Sequence, residues 1–201
     1  MDIDTYHVGM RELQDRFDTR RLADRLDGQL GRRSFSEDDQ AFIHSRSLFF
    51  VATTDGDGRP DCSYKGGAPG FVSIVAPDTL EFPSYDGNGQ FRSLGNLRVN
   101  PGVGLLFIDF DSPRRLRVNG RARLLDDAQS LARHHGAQLV VQVCVDLIFP
   151  NCPRYIHRSG PAALSADVPR PGHEPPVAAW KSMRIVADVL PRANNPYRPI
   201  R

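Results

Sequence analysis

The chain has 201 residues, a formal net charge of +2 and 25% charged side chains, so we expect one domain of ordinary size with extensions and a sizeable buried core. The near-balanced charge argues against a nucleic-acid-binding protein, which usually carries a strongly basic face. The apolar fraction of 40% is that of a globular protein.

The N-terminal sequence and the cysteines indicate the compartment. Residues 1–22 are acidic and then amphipathic, without the apolar run and cleavage site of a signal peptide. No apolar segment approaches the ~20 residues that span a bilayer. Cys62, Cys144 and Cys152 cannot all pair and show no Cys-x-x-Cys spacing, so we expect reduced core thiols and no metal site. These features predict a cytoplasmic protein that binds neither membrane nor nucleic acid.

Residues 1–44 are predicted to form an N-terminal helical extension. Apolar residues recur at three- to five-residue steps between Met10 and Leu30, which indicates an amphipathic helical region packed on the outside of another element. Ser36 is followed by three acidic residues, a pattern that predicts a helix N-cap with an acidic first turn.

Residues 45–160 alternate between apolar runs and turn signals, which favours an antiparallel β-protein. The predicted strands are 48–54, 60–65, 71–76, 80–83, 103–110, 116–125 and 139–149. We expect the early strands to pair as an antiparallel meander, which disfavours a parallel doubly wound fold. Six or seven antiparallel strands with few helices suggest a closed or half-closed barrel, because closure removes exposed strand edges.

Residues 161–201 are predicted to be a Pro-rich C-terminal extension without a core of its own. Trp180 and the run from Met183 to Leu190 are expected to dock on the barrel or on a partner chain. The final NNPYRPIR is predicted to be a loose tail.

A lysine that leaves a strand and an Arg-Ser pair that opens a helix can hold a phosphorylated planar cofactor. Lys65 is one of only two lysines in the chain and precedes a Gly-Gly turn. Arg92 and Ser93 begin a predicted helix, where guanidinium and backbone N–H groups together bind phosphate. The alternative is that both cations are ordinary solvated side chains.

Short motifs follow one another in collinear order between residues 45 and 158. They include Ser63-Tyr64-Lys65-Gly66-Gly67, Pro69-Gly70-Phe71-Val72, Ser93-Leu94-Gly95-Asn96, Arg117-Val118-Asn119-Gly120-Arg121-Ala122 and Asn151-Cys152-Pro153-Arg154-Tyr155-Ile156. In combination they resemble the pyridoxamine 5′-phosphate oxidase-like family of FMN-binding split barrels. The resemblance implies a mainly β fold with peripheral helices, namely a six-stranded antiparallel split β-barrel, and a homodimer with FMN bound between protomers.

The resemblance also implies which residues bind the cofactor. Arg92, Ser93 and Asn96 match the family's phosphate-binding positions, and Lys65 matches a lysine near the pyrimidine edge of the flavin. The other implied cofactor-binding residues are Ser63, Tyr64, Tyr85, Asn88, Arg115, Cys152 and Arg154.

We therefore predict an FMN-dependent oxidoreductase that acts on a small molecule. The C-terminal segment lacks the Arg and His residues with which the oxidase itself grips its substrate phosphate, which argues against vitamin B6 synthesis. The alternatives are a flavin-binding protein without turnover, serving storage or redox sensing, and a split barrel that binds a deazaflavin or haem. No catalytic residue is assigned, since Cys152 has no paired histidine at a recognisable spacing.

Overall fold

The computed structural model describes residues 5–157, 176–177 and 179–192. Residues 161–175 of the predicted Pro-rich extension and the predicted tail, residues 194–201, lie outside the described residues.

The chain divides into two compact units with bounds that differ from those predicted. One unit combines residues 1–31 with 166–201, and the other contains residues 32–165. The helix predicted after Ser36 therefore belongs to the unit that contains the sheet, and the two ends of the chain belong to one unit.

The larger unit is a mainly β fold of the split-barrel type, built on one seven-stranded antiparallel sheet. Its strands are β1 (Leu48–Thr54), β2 (Pro60–Gly66), β3 (Ser73–Ala76), β4 (Thr79–Ser84), β5 (Gly102–Asp109), β6 (Arg114–Leu125) and β7 (Leu139–Asn151). Their order across the sheet is β2-β1-β5-β6-β7-β4-β3. The sheet has one strand more than the six expected, because the short β3 pairs with β4.

The consecutive strands β2 and β3 lie at opposite edges of the sheet, so the predicted meander is wrong at this point. In a flat sheet, six strand spacings of ~4.8 Å would separate these edges by about 29 Å. The seven residue steps from Gly66 to Ser73 span at most ~25 Å. The sheet therefore has to curl until its edges approach each other.

Phe49 on β1 shows this curling directly. Three strands separate β1 from β4 in the sheet order, yet the rings of Phe49 and Phe82 lie 4.9 Å apart, edge to face. The ring of Phe107 on β5 lies 5.1 Å from Phe49, and that of Phe71 lies 5.8 Å away. Phe49, Phe82 and Phe107 are fully buried, so the interior is a packed apolar core.

The smaller unit contains the helices α1 (Val8–Arg16) and α2 (Arg20–Leu30). The single predicted helical region is two helices because Asp18 adopts a φ of 53° between them. Leu22 of α2 packs against Val186 and Val189, and Arg25 of α2 pairs with Asp188. The predicted docking segment, 183–190, thus makes its described apolar contacts with α2.

Three short helices belong to the larger unit: α3 (Glu37–His44), α4 (Arg92–Val99) and α5 (Ala128–Ala132). Ser36 caps α3 as predicted, since its side chain accepts a hydrogen bond from Asp39 N, and Asp39 accepts one from Ser36 N. Asp127 caps α5 by accepting from Ser130 N at 2.9 Å. The helix α4 begins at Arg92, as the sequence predicts.

Within the described ranges, no helix is both long and apolar enough to cross a membrane. No group of three or more His, Cys, Asp or Glu side chains in the same ranges could hold a metal ion. All three cysteines are free thiols, but Cys62 and Cys144 are exposed and not core residues as predicted. They occupy exposed positions in the alternating burial patterns of β2 and β7, so the sheet does not bury them.

Candidate functional site

A cavity of about 570 Å³ lies beside the edge strand β2, bounded by this strand, the loop 84–91 and the start of α4. This volume is in the range of small-molecule sites, about 300–1,000 Å³. Six of the eleven predicted cofactor-binding residues line it: Ser63, Lys65, Tyr85, Asn88, Arg92 and Ser93.

Strand β2 presents three polar side chains to the cavity at alternate positions, Asp61, Ser63 and Lys65. These residues share one face because successive side chains of a strand point to opposite sides. Burial lowers the pKa of the Lys65 ammonium below its usual value, and the Asp61 carboxylate partly offsets this by raising it. Lys65 is therefore a half-desolvated cation, which interacts more strongly with an anionic ligand than a fully hydrated one.

The start of α4 forms the wall opposite this strand. Phe91 is its N-cap residue and adopts the left-handed conformation with φ 48° and ψ 30°. A left-handed conformation is strained for a bulky residue, and such strain is concentrated at functional sites. No side chain caps the helix, so the N–H groups of its first turn are available to an anion beside Arg92 and Ser93.

Sequence reasoning missed Asp61, which contacts two of the three predicted phosphate-binding residues. Ser93 Oγ donates a hydrogen bond to Asp61 Oδ2 at 3.1 Å, and Arg92 Nε lies 3.3 Å from Asp61 Oδ1. The available signal was strand alternation, because Asp61 stands two and four residues before Ser63 and Lys65.

The loop 85–91 completes the cavity with aromatic and amide groups. Tyr85 and Phe91 are 39% and 50% exposed and line the cavity, so they offer aromatic surface to a ligand. Asn88 Oδ1 accepts from Gln90 N at 3.0 Å, which holds the turn. Asp86 Oδ1 accepts from Gln138 Nε2 at 3.0 Å, so this second carboxylate of the lining is held by the start of β7.

Two predicted residues near the cavity point elsewhere. Tyr64 lies on the opposite face of β2, is 58% exposed and packs its ring edge against Phe50, with centroids 6.1 Å apart. Asn96 of α4 donates from Nδ2 to Thr53 Oγ1 at 3.0 Å. Neither residue contributes to the cavity lining.

The remaining three predicted residues, Arg115, Cys152 and Arg154, lie at the start of β6 and just after β7, outside the cavity lining. Arg115 stands opposite Asn151 in the β6–β7 pairing. Arg115 Nε and Asn151 Oδ1 are both buried without a hydrogen-bond partner among the described residues. The Arg154 guanidinium lies 5.0 Å from the centroid of the Tyr155 ring. The structure of one chain thus brings six predicted residues together and leaves these three as a separate group.

A family model described as pyridoxamine 5′-phosphate oxidase matches residues 35–161, which is more than half of the chain. No curated protein matches the chain.

Several solved structures are similar to part of the chain at low sequence identity. A candidate pyridoxamine 5′-phosphate oxidase from Lactobacillus delbrueckii is 22% identical, with a TM-score of 0.48 over 59% of this chain and 95% of the other. An F420 reductase is 18% identical, with a TM-score of 0.38 over 59% of this chain and 97% of the other. HutZ, the heme storage protein from Vibrio cholerae, is 18% identical, with a TM-score of 0.39 over 59% of this chain and 92% of the other.

Proposed function

Since the chain belongs to the pyridoxamine 5′-phosphate oxidase family, we propose that it is an FMN-binding oxidoreductase that acts on a small molecule at the cavity beside β2. The observation that carries this proposal is the convergence of Lys65, Arg92, Ser93 and the uncapped first turn of α4 on one cavity. Two cations and a helix N-terminus in a single cavity favour a ligand with an anionic group.

The residues of the cavity fit FMN in both its phosphate and its ring. Ser93 is nearly buried and lies at the helix start with Arg92, where a phosphate finds charge-assisted donors. Tyr85 and Phe91 supply the aromatic surface that a flat ring system requires.

When bound, FMN would supply hydride transfer between its ring and a small molecule. The chain's own residues would bind and orient the cofactor. Arg92, Ser93 and the α4 amides would hold the phosphate, and Lys65 would supply a cation for the negative charge of the reduced ring. Because Lys65 is partly desolvated, its charge acts through a medium of low dielectric constant and is weakly screened.

We further propose a homodimer in which the second group of predicted residues completes the cavity of the partner chain. Arg115, Cys152 and Arg154 lie outside the cavity of their own chain, and the buried, unpaired Arg115 Nε calls for an acceptor that the described residues do not provide. Sedimentation velocity tests this directly: a monomer that still binds FMN with full affinity would refute the shared site. The cytoplasmic location stays a prediction.

FMN is favoured over haem because haem iron needs an axial ligand, most often histidine. The described residues that line the cavity include no histidine, and its Cys62 and Tyr85 are of the less common ligand types. A deazaflavin offers a similar ring, so the identity of the bound molecule is decided by its mass.

The test is the absorption spectrum and mass of the molecule released from the purified, denatured protein, followed by titration of the apoprotein with FMN. We expect the released molecule to be FMN. The Arg92→Ala variant should bind FMN about 10- to 100-fold more weakly, because it loses a charge-assisted hydrogen bond. Arg98→Ala, in the exposed last turn of the same helix, is the matched control and should bind like the native chain. A folded protein that neither releases nor takes up FMN would refute the proposal.

Turnover is tested separately from binding. Reduction of the bound flavin by a nicotinamide cofactor, followed by reoxidation that depends on an added substrate, would support the oxidoreductase. Tight FMN binding without either reaction would support the alternative of a flavin-storage or redox-sensing protein.

A further inference from the structure

We propose that Asp61 is an internal counter-ion of the anion site, and that it limits how strongly this chain prefers a phosphorylated flavin to an unphosphorylated one. The inference rests on the proposed function, because it concerns the same cavity and the same phosphate donors. Asp61 acts here as a specificity-determining residue.

The two side chains that α4 offers to a phosphate are both engaged by this one carboxylate. Ser93 Oγ donates to Asp61 Oδ2 at 3.1 Å, and Arg92 Nε lies 3.3 Å from Oδ1. The Asp61 side chain is only 17% exposed, whereas that of Arg92 is 72% exposed. Arg92 can therefore turn toward a ligand, but Asp61 stays beside the helix start.

A phosphate dianion that reaches this helix start has to displace the Asp61 carboxylate or lie next to it. Two like charges within a few ångströms repel each other strongly where water is partly excluded. Riboflavin has the same ring system without the phosphate, so it meets no such competition. The phosphate consequently adds less to the affinity than its donors could provide.

The net charge of the cavity also disfavours a phosphate dianion. The charged side chains that line it in the described structure are two acids, Asp61 and Asp86, and two bases, Lys65 and Arg92. Their formal charges cancel, so a bound dianion is left uncompensated. Removing the negative charge at Asp61 frees Arg92 from its ion pair and also leaves one positive charge in excess.

A purely structural role for Asp61, as a tie between β2 and α4, makes a different prediction. The variant Asp61→Asn keeps the shape of the side chain and an oxygen that accepts from Ser93. A structural tie would therefore survive this substitution with unchanged ligand preference, whereas a counter-ion would be lost.

The experiment measures dissociation constants of the apoprotein for FMN and for riboflavin by flavin fluorescence, in the native chain, in Asp61→Asn and in Asp86→Asn. Asp86→Asn is the matched control, since it removes one negative charge from the same cavity without touching Arg92 or Ser93. We expect Asp61→Asn to bind FMN about tenfold more tightly or better, and riboflavin within about twofold of the native chain because no charge of riboflavin faces Asp61. Asp86→Asn should raise the ratio of the riboflavin to the FMN dissociation constant much less. An unchanged ratio in Asp61→Asn, or an equal gain in Asp86→Asn, would overturn the proposal.

A second probe separates this inference from the proposed function. Calorimetric titration with inorganic phosphate reports on the anion site whether or not a flavin binds. If no variant binds either flavin but Asp61→Asn gains phosphate affinity, the flavin proposal fails and the counter-ion stands. If phosphate affinity is also unchanged, both fail. Circular dichroism monitors folding, and Asp61→Ser replaces Asp61→Asn if the latter does not fold.

Discussion

Asn96 Nδ2 donates a hydrogen bond to Thr53 Oγ1 at 3.0 Å, which ties the middle of α4 to strand β1. One turn later, Asn100 Nδ2 donates to Thr54 Oγ1 at 2.7 Å. Two helix residues four positions apart thus bond to two consecutive strand residues, while Leu94 and Leu97 are buried beneath them. We infer that Asn96 acts on the cavity by positioning the start of α4.

Replacing Asn96 by alanine should weaken FMN binding about threefold to tenfold and cost about 1 kcal/mol of stability, since one side-chain hydrogen bond of the helix is lost. The control Asn100→Ala removes the corresponding bond at the far end of the helix and also the bond that Asn100 Oδ1 accepts from Gly102 N at 3.1 Å. It should therefore cost at least as much stability, with little change in affinity. Urea unfolding and flavin titration, at a temperature where both variants are fully folded, measure the two effects. Equal affinity losses in the two variants would contradict a positioning role for Asn96.

The buried carboxylate of Glu81 on β4 depends on Arg133. Glu81 is fully buried and accepts from Arg133 Nε and Nη2 at 2.9–3.0 Å, and from Gln142 Nε2 at 2.7 Å. Arg133→Ala should lower the free energy of unfolding by about 3 kcal/mol, because it leaves a buried charge without its partner. Arg123→Ala removes an exposed guanidinium that bonds only to the Gln142 amide among described partners, and should cost less than about 1 kcal/mol. Urea unfolding of both variants is the measurement, and similar losses would refute the special role of Arg133.

His134 predicts a pH dependence of stability. Burial lowers the pKa of its imidazole; Glu81 partly offsets this by raising it, and Arg133 lowers it further. His134 Nε2 lies 3.6 Å from Glu81 Oε2, too far for a good hydrogen bond, so burial dominates. Because the folded pKa is below the unfolded value of about 6.5, the unfolded chain binds more protons in the interval between the two, and stability falls as pH falls through it.

Urea midpoints measured between about pH 5 and 8 test this titration on either side of the ordinary histidine pKa. His134→Gln should flatten the decline on the acid side, since the group that titrates is gone. His135→Gln, at the exposed neighbouring position, should leave the profile as in the native chain. An unchanged profile in His134→Gln would assign the pH dependence to other groups.

Gly120 marks the irregularity between β6 and β7, where the register shifts after Asn119. A Cβ at this position would collide with the backbone carbonyl oxygen of Cys144 and press on Val143. Gly120→Ala should therefore cost about 2–3 kcal/mol of stability, because backbone atoms have to move. At Gly104 on β5 the nearest atom to an added Cβ is 3.6 Å away, so Gly104→Ala should cost less than about 1 kcal/mol. Equal costs in urea unfolding would contradict this account.

Several features of the fold and the site follow from local sequence. The strands were predictable where apolar residues alternate or run together, as in β1 and β6, since a side-chain period of two is fixed by strand geometry. The start of α4 at Arg92 and the cap at Ser36 were predictable because helix ends depend on neighbouring residues. Six of the cofactor-binding residues that the family resemblance implies line one cavity.

The sequence by itself determined the mainly β class and the strand positions, because these depend on periodicity and turn chemistry within a few residues, and its resemblance to a family indicated six of the residues around the cavity. Only the tertiary structure decided that β2 and β3 lie at opposite edges, that Asn96 turns to Thr53 and that Asp61 engages Ser93. Each of these relationships joins residues distant in sequence, and pairing of this kind is selected by the burial of the whole core rather than by any local pattern.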